Sequence, residues 1–97
     1  MKIKILYRKN LKMSEGKLAA QAVHAALLLY TQDERTSVGA SVVVLGVSDK
    51  KFEEGKNGHS MIALIKDKGL TEVAPGTETC YAFLEEYGSP QAEKEVE

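Results

Sequence analysis

The sequence has few of the features that mark several common classes of protein. Cys80 is the only cysteine, so there is no disulfide framework and no set of thiolates for a metal. No apolar run approaches the roughly 20 residues that a membrane-spanning helix needs. The first residues alternate as in a strand, which is not the pattern of a signal peptide. We therefore expect a cytoplasmic protein with no membrane segment.

Motifs for bound metals and nucleotides are also missing. The two histidines are not at ligand spacing, and the sequence contains no Walker loop and no dinucleotide fingerprint. His59 lies in a polar, Gly-rich stretch, where we expect it to be exposed, and Cys80 is expected to be a small buried hydrophobe. The sequence predicts a protein that works without a metal or cofactor.

An excess of charge of one sign is absent too, because the net charge is −1. The two parts of the chain nevertheless differ. Residues 1–77 hold twelve Lys and Arg against eight Asp and Glu, whereas residues 78–97 hold one Lys against six Glu. The basic N-terminal part suits a polyanion such as RNA. A solvated charged face is the plainer interpretation, and composition alone favours it.

The hydrophobic pattern predicts one domain with alternating strand and helix signals. The predicted elements are a strand at 3–8, a helix at 15–31, and further strands at 41–47, 60–66 and 78–84. Ser14 is a suitable N-cap for the helix. The strands at 41–47 and 60–66 read as buried, the first of them on both faces. Residues 49–59 leave room for only a short helix or loop, and residues 67–77 predict a loop.

This order of elements predicts an α/β fold. A strand–helix–strand start implies parallel pairing of its two strands, and the closing strand pair is expected to be antiparallel. We predict a mixed four-stranded sheet with the main helix packed on its face. Residues 1–88 would form this domain, and residues 89–97 an acidic polar tail.

One face of the predicted helix carries polar side chains. Lys17, Gln21, His24 and Leu28 are spaced to share a face, which we place away from the Ala/Leu packing stripe. Lys17 adds positive charge near the helix N-terminus, where anions bind. His24 can exchange a proton near neutral pH. The plainer alternative is a solvated lysine and a hydrogen-bonded histidine.

The 67–77 loop and the strand after it carry a second polar set. Asp67 ends a strand, which is where α/β sheets place ligand-binding side chains. Thr71, Thr77 and Thr79 can donate hydrogen bonds to a substrate or a phosphate. Asp67 close to Lys17 would form a charge pair that orients both groups. The alternative is a structural turn in which Asp67 caps backbone amides.

Three segments share the pattern of one family. They read Arg8-x-Asn10-Leu11-x-Met13, Gly16-Lys17-x-Ala19-Ala20-Gln21-x-x-His24-Ala25 and Ile65-x-Asp67-x-Gly69-x-Thr71-x-x-Ala74-Pro75-Gly76-Thr77-x-Thr79. In this order they resemble the peptidyl-tRNA hydrolases of the archaeal and eukaryotic type. The resemblance implies a small α/β enzyme, often dimeric, that cleaves the ester between a peptide and the ribose of tRNA. It implies no obligatory metal.

The resemblance also implies roles for residues of this chain. The family's catalytic positions fall on Lys17, Asp67, Thr71 and Thr79, with Gln21, His24 and Thr77 lining the same site. Arg8, Lys9 and Lys12 would contact tRNA phosphates. We expect Asp67 to orient the attacking water, directly or through Thr79, and Lys17 to orient Asp67 or to stabilise the oxyanion. His24 is an alternative base.

The chain also departs from the family pattern. Asn10 and Lys68 replace the usual Asp and Ala, residues 48–59 are shorter than the corresponding segment, and residues 83–88 do not match. Three alternatives to a peptidyl-tRNA hydrolase therefore stay open. They are a non-catalytic module that binds tRNA or another RNA, a related hydrolase or transferase of a different acyl or amide substrate, and a protein-interaction domain whose acidic tail masks the basic face.

Overall fold

Four strands form one sheet, and a helix covers each of its faces. The computed structural model describes residues 1–37, 39–59, 61–68 and 73–85. Its elements are β1 (Lys2–Arg8), a 3-10 turn (Lys9–Leu11), α1 (Glu15–Gln32), β2 (Ser41–Val47), α2 (Asp49–Gly58), β3 (Ala63–Lys66) and β4 (Glu78–Glu85). Thr71 and the predicted tail, residues 89–97, lie outside the described residues.

The strand order in the sheet is β2-β1-β4-β3. β1 pairs in parallel with β2 and antiparallel with β4, and β3 pairs antiparallel with β4. This topology confirms the predicted α/β fold with a mixed four-stranded sheet. The parallel first pair and the antiparallel closing pair are confirmed as well.

α1 packs on one face of the sheet. The Ser14 hydroxyl accepts a hydrogen bond from the Lys17 amide at 3.2 Å, which confirms the predicted N-cap. Ala25 and Leu29 are fully buried and contact a cluster of sheet side chains, which comprises Ile3, Ile5, Ala63, Cys80 and Ala82. The small alanine side chains on α1 allow the helix to approach the sheet closely.

α2 packs on the opposite face. Its Phe52 is buried among Leu6, Val47, Tyr81 and Phe83. Side chains alternate between the faces of a strand, so these β4 residues and the β4 residues below α1 lie on opposite sides. Of the two predictions for residues 49–59, the short helix is confirmed: Ser48 caps it by accepting from the Lys51 amide at 3.2 Å.

The predicted burial of two strands is wrong. β2 and β3 are the edges of the sheet, and α1 packs mainly on β1, β3 and β4. Val42 and Val44 are therefore 54% and 43% exposed. In β3 only Ala63 is buried, and the strand begins there instead of at residue 60. The order of strands arises from long-range pairing, which a run of apolar residues does not encode.

Two polar residues are less exposed than the sequence indicated. His59 is partly buried and stacks on Phe83, with ring centroids 3.8 Å apart, so the expectation of an exposed His59 is wrong. Lys4, counted in the basic N-terminal part, is fully buried and pairs with Glu85 at 3.3 Å. Aromatic stacking and an ion pair replace the contacts with water that each side chain gives up.

Among the residues described, no helix combines the length and the apolar character that a bilayer crossing needs.

Candidate functional site

A groove of about 800 Å³ lies between α1 and β3, and we call it the α1–β3 groove. Its α1 side comprises Gly16, Lys17, Ala20, Gln21, His24 and Leu28, and its other side comprises residues 64–68. The predicted grouping of Lys17, Gln21, His24 and Leu28 on one face is thus confirmed. Its predicted position away from the packing stripe is wrong, because Gln21 is only 4% exposed and Leu28 packs against the core.

An ion pair between Lys17 Nζ and Asp67 Oδ1 lies at one end of this groove. Lys17 is in the first turn of α1, and Asp67 follows the last residue of β3. Their side chains are 11% and 7% exposed, so both charges are largely withdrawn from water. In such surroundings a charge acts more strongly on its neighbours than it does in bulk solvent. The predicted proximity of Asp67 and Lys17 is confirmed.

Main-chain hydrogen bonds hold Asp67 in place. Its amide donates to the Thr77 carbonyl at 2.8 Å, and its carbonyl accepts from the Gly76 amide at 2.7 Å. Gly76 has φ of +80°, a conformation that residues with a Cβ rarely adopt, so glycine suits this turn. Two main-chain hydrogen bonds therefore position this carboxylate at the carboxyl end of β3.

A β-bulge brings Thr79 to the face of the sheet that α1 covers. Ile65 pairs with Cys80 and Lys66 pairs with Glu78, which leaves Thr79 as the extra residue on β4. Regular alternation would place Thr79 on the α2 face, but its hydroxyl accepts from Gln21 Nε2 at 2.8 Å and donates to the Ile65 carbonyl at 3.4 Å. Gln21 and Thr79 thus form a buried link between α1, β3 and β4.

Cys80 lies next to this link and is chemically quiet. Its thiol donates to the Gln21 carbonyl at 3.3 Å. Burial raises the pKa of Cys80 to about 11, while a contact with Thr79 lowers it slightly. A thiol in this state is a poor nucleophile at neutral pH. The expectation of a small buried hydrophobe is confirmed.

Comparison with known proteins decides the family. Residues 1–89 match the family described as peptidyl-tRNA hydrolase PTH2. The chain is 34% identical to the peptidyl-tRNA hydrolase of Methanopyrus kandleri, over 96% of this chain and 87% of that protein. It is 36% identical to that of Thermococcus onnurineus, over 80% and 78% of the two chains. The chain belongs to the peptidyl-tRNA hydrolase PTH2 family.

The match extends to a eukaryotic member of the PTH2 family. The human protein named peptidyl-tRNA hydrolase 2, mitochondrial, is 33% identical over 80% of this chain and 51% of its own length. Membership in this family confirms the resemblance derived from the three motifs. It also makes the chain a member of a family of hydrolases, as the sequence predicted.

The other residues that the PTH2 resemblance singled out differ from one another in exposure and in contact with the groove. His24 is exposed and lines the groove beyond Gln21. Thr77 is partly buried and contributes its carbonyl to Asp67. Thr79 is fully buried, and it is not among the described residues that line the groove. Thr71 lies outside the described residues.

Two of the three basic residues expected to contact tRNA, Arg8 and Lys12, lie in different surroundings, and the third, Lys9, is exposed in the 3-10 turn. Arg8 Nε pairs with Asp49 at 3.0 Å, and its guanidinium donates to the Glu78 carbonyl at 3.0 Å. The hydrogen bond with Asp49 raises the pKa of Arg8, and the same bond lowers the pKa of Asp49. Lys12 is exposed on the turn after β1. The structure thus ties Arg8 to α2 and β4 and leaves Lys12 facing solvent.

Sequence reasoning missed part of the groove. Leu64 and Lys66 line it and were not singled out, and Ala20 and Ile65, which line it too, were named only as positions of the family motifs. The β3 residues border the groove because β3 is an edge strand. Local sequence patterns do not predict which strand lies at the edge of a sheet. Within the described part of the chain, no three His, Cys, Asp or Glu side chains are grouped so that they could hold a metal ion.

Proposed function

We propose that this protein hydrolyses the ester between a peptidyl group and tRNA at the Lys17–Asp67 end of the α1–β3 groove. The observation that carries this proposal is the largely buried Lys17–Asp67 pair, at the end of a groove, in a chain of the PTH2 family. The relatives named peptidyl-tRNA hydrolase support the substrate.

The groups at this end suit ester hydrolysis by water. In our proposal the Asp67 carboxylate orients a water molecule and takes its proton as the oxygen attacks the ester carbonyl carbon. The Lys17 ammonium holds Asp67 and stabilises the negative charge that develops on the carbonyl oxygen. The bond to the ribose oxygen then breaks, and the proton passes to that oxygen. The products are a peptide with a free carboxyl group and a tRNA with its terminal hydroxyl.

The remaining residues have supporting parts in the proposal. His24, which is exposed at the groove, is the alternative base for the same proton. Thr79 and Gln21 position the ends of β3 and β4 through their buried hydrogen bond, so we treat Thr79 as a positioning residue. Thr71 would hold substrate or water, and Thr77 would hold Asp67 through its main chain.

Hydrolysis of N-acetyl-phenylalanyl-tRNA by the purified protein tests this function. We expect multiple turnovers that release N-acetyl-phenylalanine and deacylated tRNA, with no added metal. The matched control is the same tRNA carrying the acyl group through an amide, which should bind without being cleaved at a comparable rate. Binding of the ester substrate with no release above the uncatalysed rate would contradict the enzyme and favour a tRNA-binding module.

We propose that tRNA phosphates contact Lys12 more directly than Arg8. Lys12 is exposed, whereas Arg8 is engaged by Asp49 and by the Glu78 carbonyl. A plot of log Kd for tRNA against log salt is expected to be linear, and Lys12→Gln is expected to lower its slope by about 1. Arg8→Gln removes the same charge and is the matched comparison. An unchanged slope in Lys12→Gln would exclude the Lys12 contact.

A homodimer is also part of the proposal. Val42 and Val44 of β2 lie on the face of the sheet that α1 covers elsewhere, and both are exposed there. An exposed apolar patch on an edge strand favours association with another chain. Light scattering should give a molar mass near twice 10.6 kDa. Val44→Lys should give the monomer mass, and a monomeric parent protein would contradict the dimer.

We place the protein in the cytoplasm. The single cysteine suits a reducing compartment. The name of the human relative includes the word mitochondrial. Fractionation of the source cells, with detection of the untagged protein, tests this location.

A further inference from the structure

The α1–β3 groove borders the open edge of a strand. Leu64 and Ile65 both line it, although consecutive side chains of a strand point to opposite faces. Leu64 packs with the cluster on the α2 face, and Ile65 packs with the cluster below α1. A groove lined by both residues fits a position along the edge of the strand, between the two faces. Within the described residues β3 pairs with β4 alone, so this edge presents unpaired main-chain groups.

The dimensions of the groove match a short extended peptide. The four residues of β3 span about 13 Å at the usual rise of a strand. The distance along the axis of α1 from Lys17 to Leu28 is about 16 Å at the usual rise of a helix. These lengths correspond to about four to five residues of extended chain. The groove is charged at Lys17 and Asp67 and apolar at Leu28 and Leu64.

We propose that the peptidyl chain of the substrate lies in this groove as an added strand, hydrogen-bonded to the edge of β3. This inference rests on the proposed function, because it takes the Lys17–Asp67 end as the place where the ester is cleaved. The esterified residue is the C-terminal residue of the peptide, and Asp67 follows the C-terminal end of β3. The peptide therefore runs parallel to β3, and its residues farther from the ester lie near Leu28.

This arrangement assigns recognition to main-chain groups and to two leucines. Strand addition uses main-chain hydrogen bonds for affinity and side-chain pockets for selectivity. Leu28 and Leu64 at the far end favour apolar side chains in the peptide, three to four residues from the ester. The site thus distinguishes a peptidyl-tRNA from a tRNA that carries a single amino acid.

A series of substrates of increasing peptide length tests the proposal on the parent protein. We expect kcat/KM to rise from N-acetyl-phenylalanyl-tRNA to the tetrapeptidyl-tRNA and to level off beyond it. The total rise should be roughly tenfold, the size expected when one or two net main-chain hydrogen bonds are gained. A kcat/KM that does not depend on length would overturn the proposal.

Methylation of the peptide nitrogens tests the strand itself. In a paired strand only every second residue directs its N–H toward its partner. N-methylation at one of two neighbouring positions of the tetrapeptide should therefore remove most of the length effect, and N-methylation at the other should be tolerated. Equal effects at both positions would exclude strand addition.

Leu28→Lys tests the far end, with Leu27→Lys as its matched control. Leu27 is the neighbouring residue on the same helix, is 60% exposed, and does not line the groove. The readout is the ratio of kcat/KM for the tetrapeptidyl substrate to that for the N-acetyl-phenylalanyl substrate. We expect the ratio to fall toward one in Leu28→Lys and to stay at the parent value in Leu27→Lys. Equal ratios in both variants would contradict the role of Leu28.

Binding separates a failure of this inference from a failure of the proposed function. Amide-linked analogues of the N-acetyl-phenylalanyl and tetrapeptidyl substrates need no hydrolysis. If the parent protein hydrolyses no ester yet binds the longer analogue about tenfold more tightly, the proposed function fails and the peptide site stands. Equal affinities for the two analogues would overturn the peptide site whether or not the protein is an enzyme.

Discussion

Thr79 and Cys80 are consecutive in β4, yet both reach Gln21 of α1. The Thr79 hydroxyl accepts from the Gln21 side chain, and the Cys80 thiol donates to the Gln21 carbonyl. Only the bulge at Thr79 allows this, because a regular strand would direct the two side chains to opposite faces. Both groups are fully buried, so each bond that is lost leaves a polar atom without solvent to replace it.

Thr79→Val therefore has a specific expected cost. It keeps the shape of the side chain but leaves the buried Gln21 amide without its acceptor, which should lower the free energy of unfolding by about 1–3 kcal/mol. Thr31→Val is the matched control, since Thr31 is exposed on α1, and it should change stability by less than about 0.5 kcal/mol. Urea denaturation measures both.

Gln21→Leu in the Thr79→Val background completes the test. Replacing both partners by apolar side chains removes the unpaired group and should restore part of the lost stability. Equal losses in Thr79→Val and Thr31→Val, or no recovery in the double variant, would show that the Gln21–Thr79 bond contributes little.

The burial of the Cys80 thiol predicts a loss of stability at alkaline pH. Burial raises its pKa from 9.0 to about 11, so the thiol ionises in the unfolded chain before it does so in the fold. Its contribution is fully present below pH 9 and is lost as the pH rises through the range from 9 to about 11. The loss should be up to about 1.4 kcal/mol per pH unit.

The difference in the free energy of unfolding between the parent and Cys80→Ala, followed against pH, separates this effect from the titration of lysines and tyrosines. Urea denaturation from pH 8 to 10.5 should show a steeper fall in the parent than in Cys80→Ala. Parallel curves would contradict the burial of a neutral thiol.

At the scale of elements, a glycine governs how α2 meets the sheet. Gly55 lies within α2, and a Cβ added to it would collide with the hydroxyl of Tyr81, whose side chain is fully buried. Gly58, at the end of the same helix, has nothing within 4 Å of an added Cβ. The absence of a side chain at Gly55 thus lets α2 approach β4.

The two glycines should therefore respond in opposite ways to alanine. Gly55→Ala should destabilise the protein by about 1–3 kcal/mol, because the added Cβ would overlap the hydroxyl of the fully buried Tyr81. Gly58→Ala should be neutral or stabilising by up to about 1 kcal/mol, as alanine favours a helix over glycine. Thermal unfolding measures both. Tyr81→Phe added to Gly55→Ala should recover stability, and a Gly55→Ala variant as stable as Gly58→Ala would contradict this packing.

Most helices and strands could be predicted from local sequence. Which of them pair or pack against each other could not. The alternation in residues 3–8, the cap at Ser14 and the helix at 15–31 each depend on residues close in the chain. The exposure of Val42 depends on β2 being an edge strand, and the stacking of His59 depends on its contact with Phe83. These are properties of long-range pairing, which periodicity does not report.

At the scale of the whole molecule, ion pairs engage several of the basic residues in the N-terminal part. Lys4 contacts Glu85, Arg8 contacts Asp49, and Lys17 contacts Asp67. The charge count of the sequence therefore overstates the free positive surface. The sequence could place Lys17, Gln21 and His24 on one face, because a helix has a fixed period. It could not show the bulge or the open edge of β3, which depend on how distant strands pair.

The central claim is that the Lys17–Asp67 end of the groove carries out the hydrolysis. Single-turnover hydrolysis of N-acetyl-phenylalanyl-tRNA by Asp67→Asn, beside Asp49→Asn, tests it most directly. Both variants remove an ion-paired carboxylate, but Asp49 pairs with Arg8 and does not line the groove. We predict that Asp67→Asn lowers the rate at least about 100-fold, the effect expected for a lost general base, and still binds tRNA, while Asp49→Asn keeps a rate near the parent's. Equal rates in the two folded variants would contradict the claim.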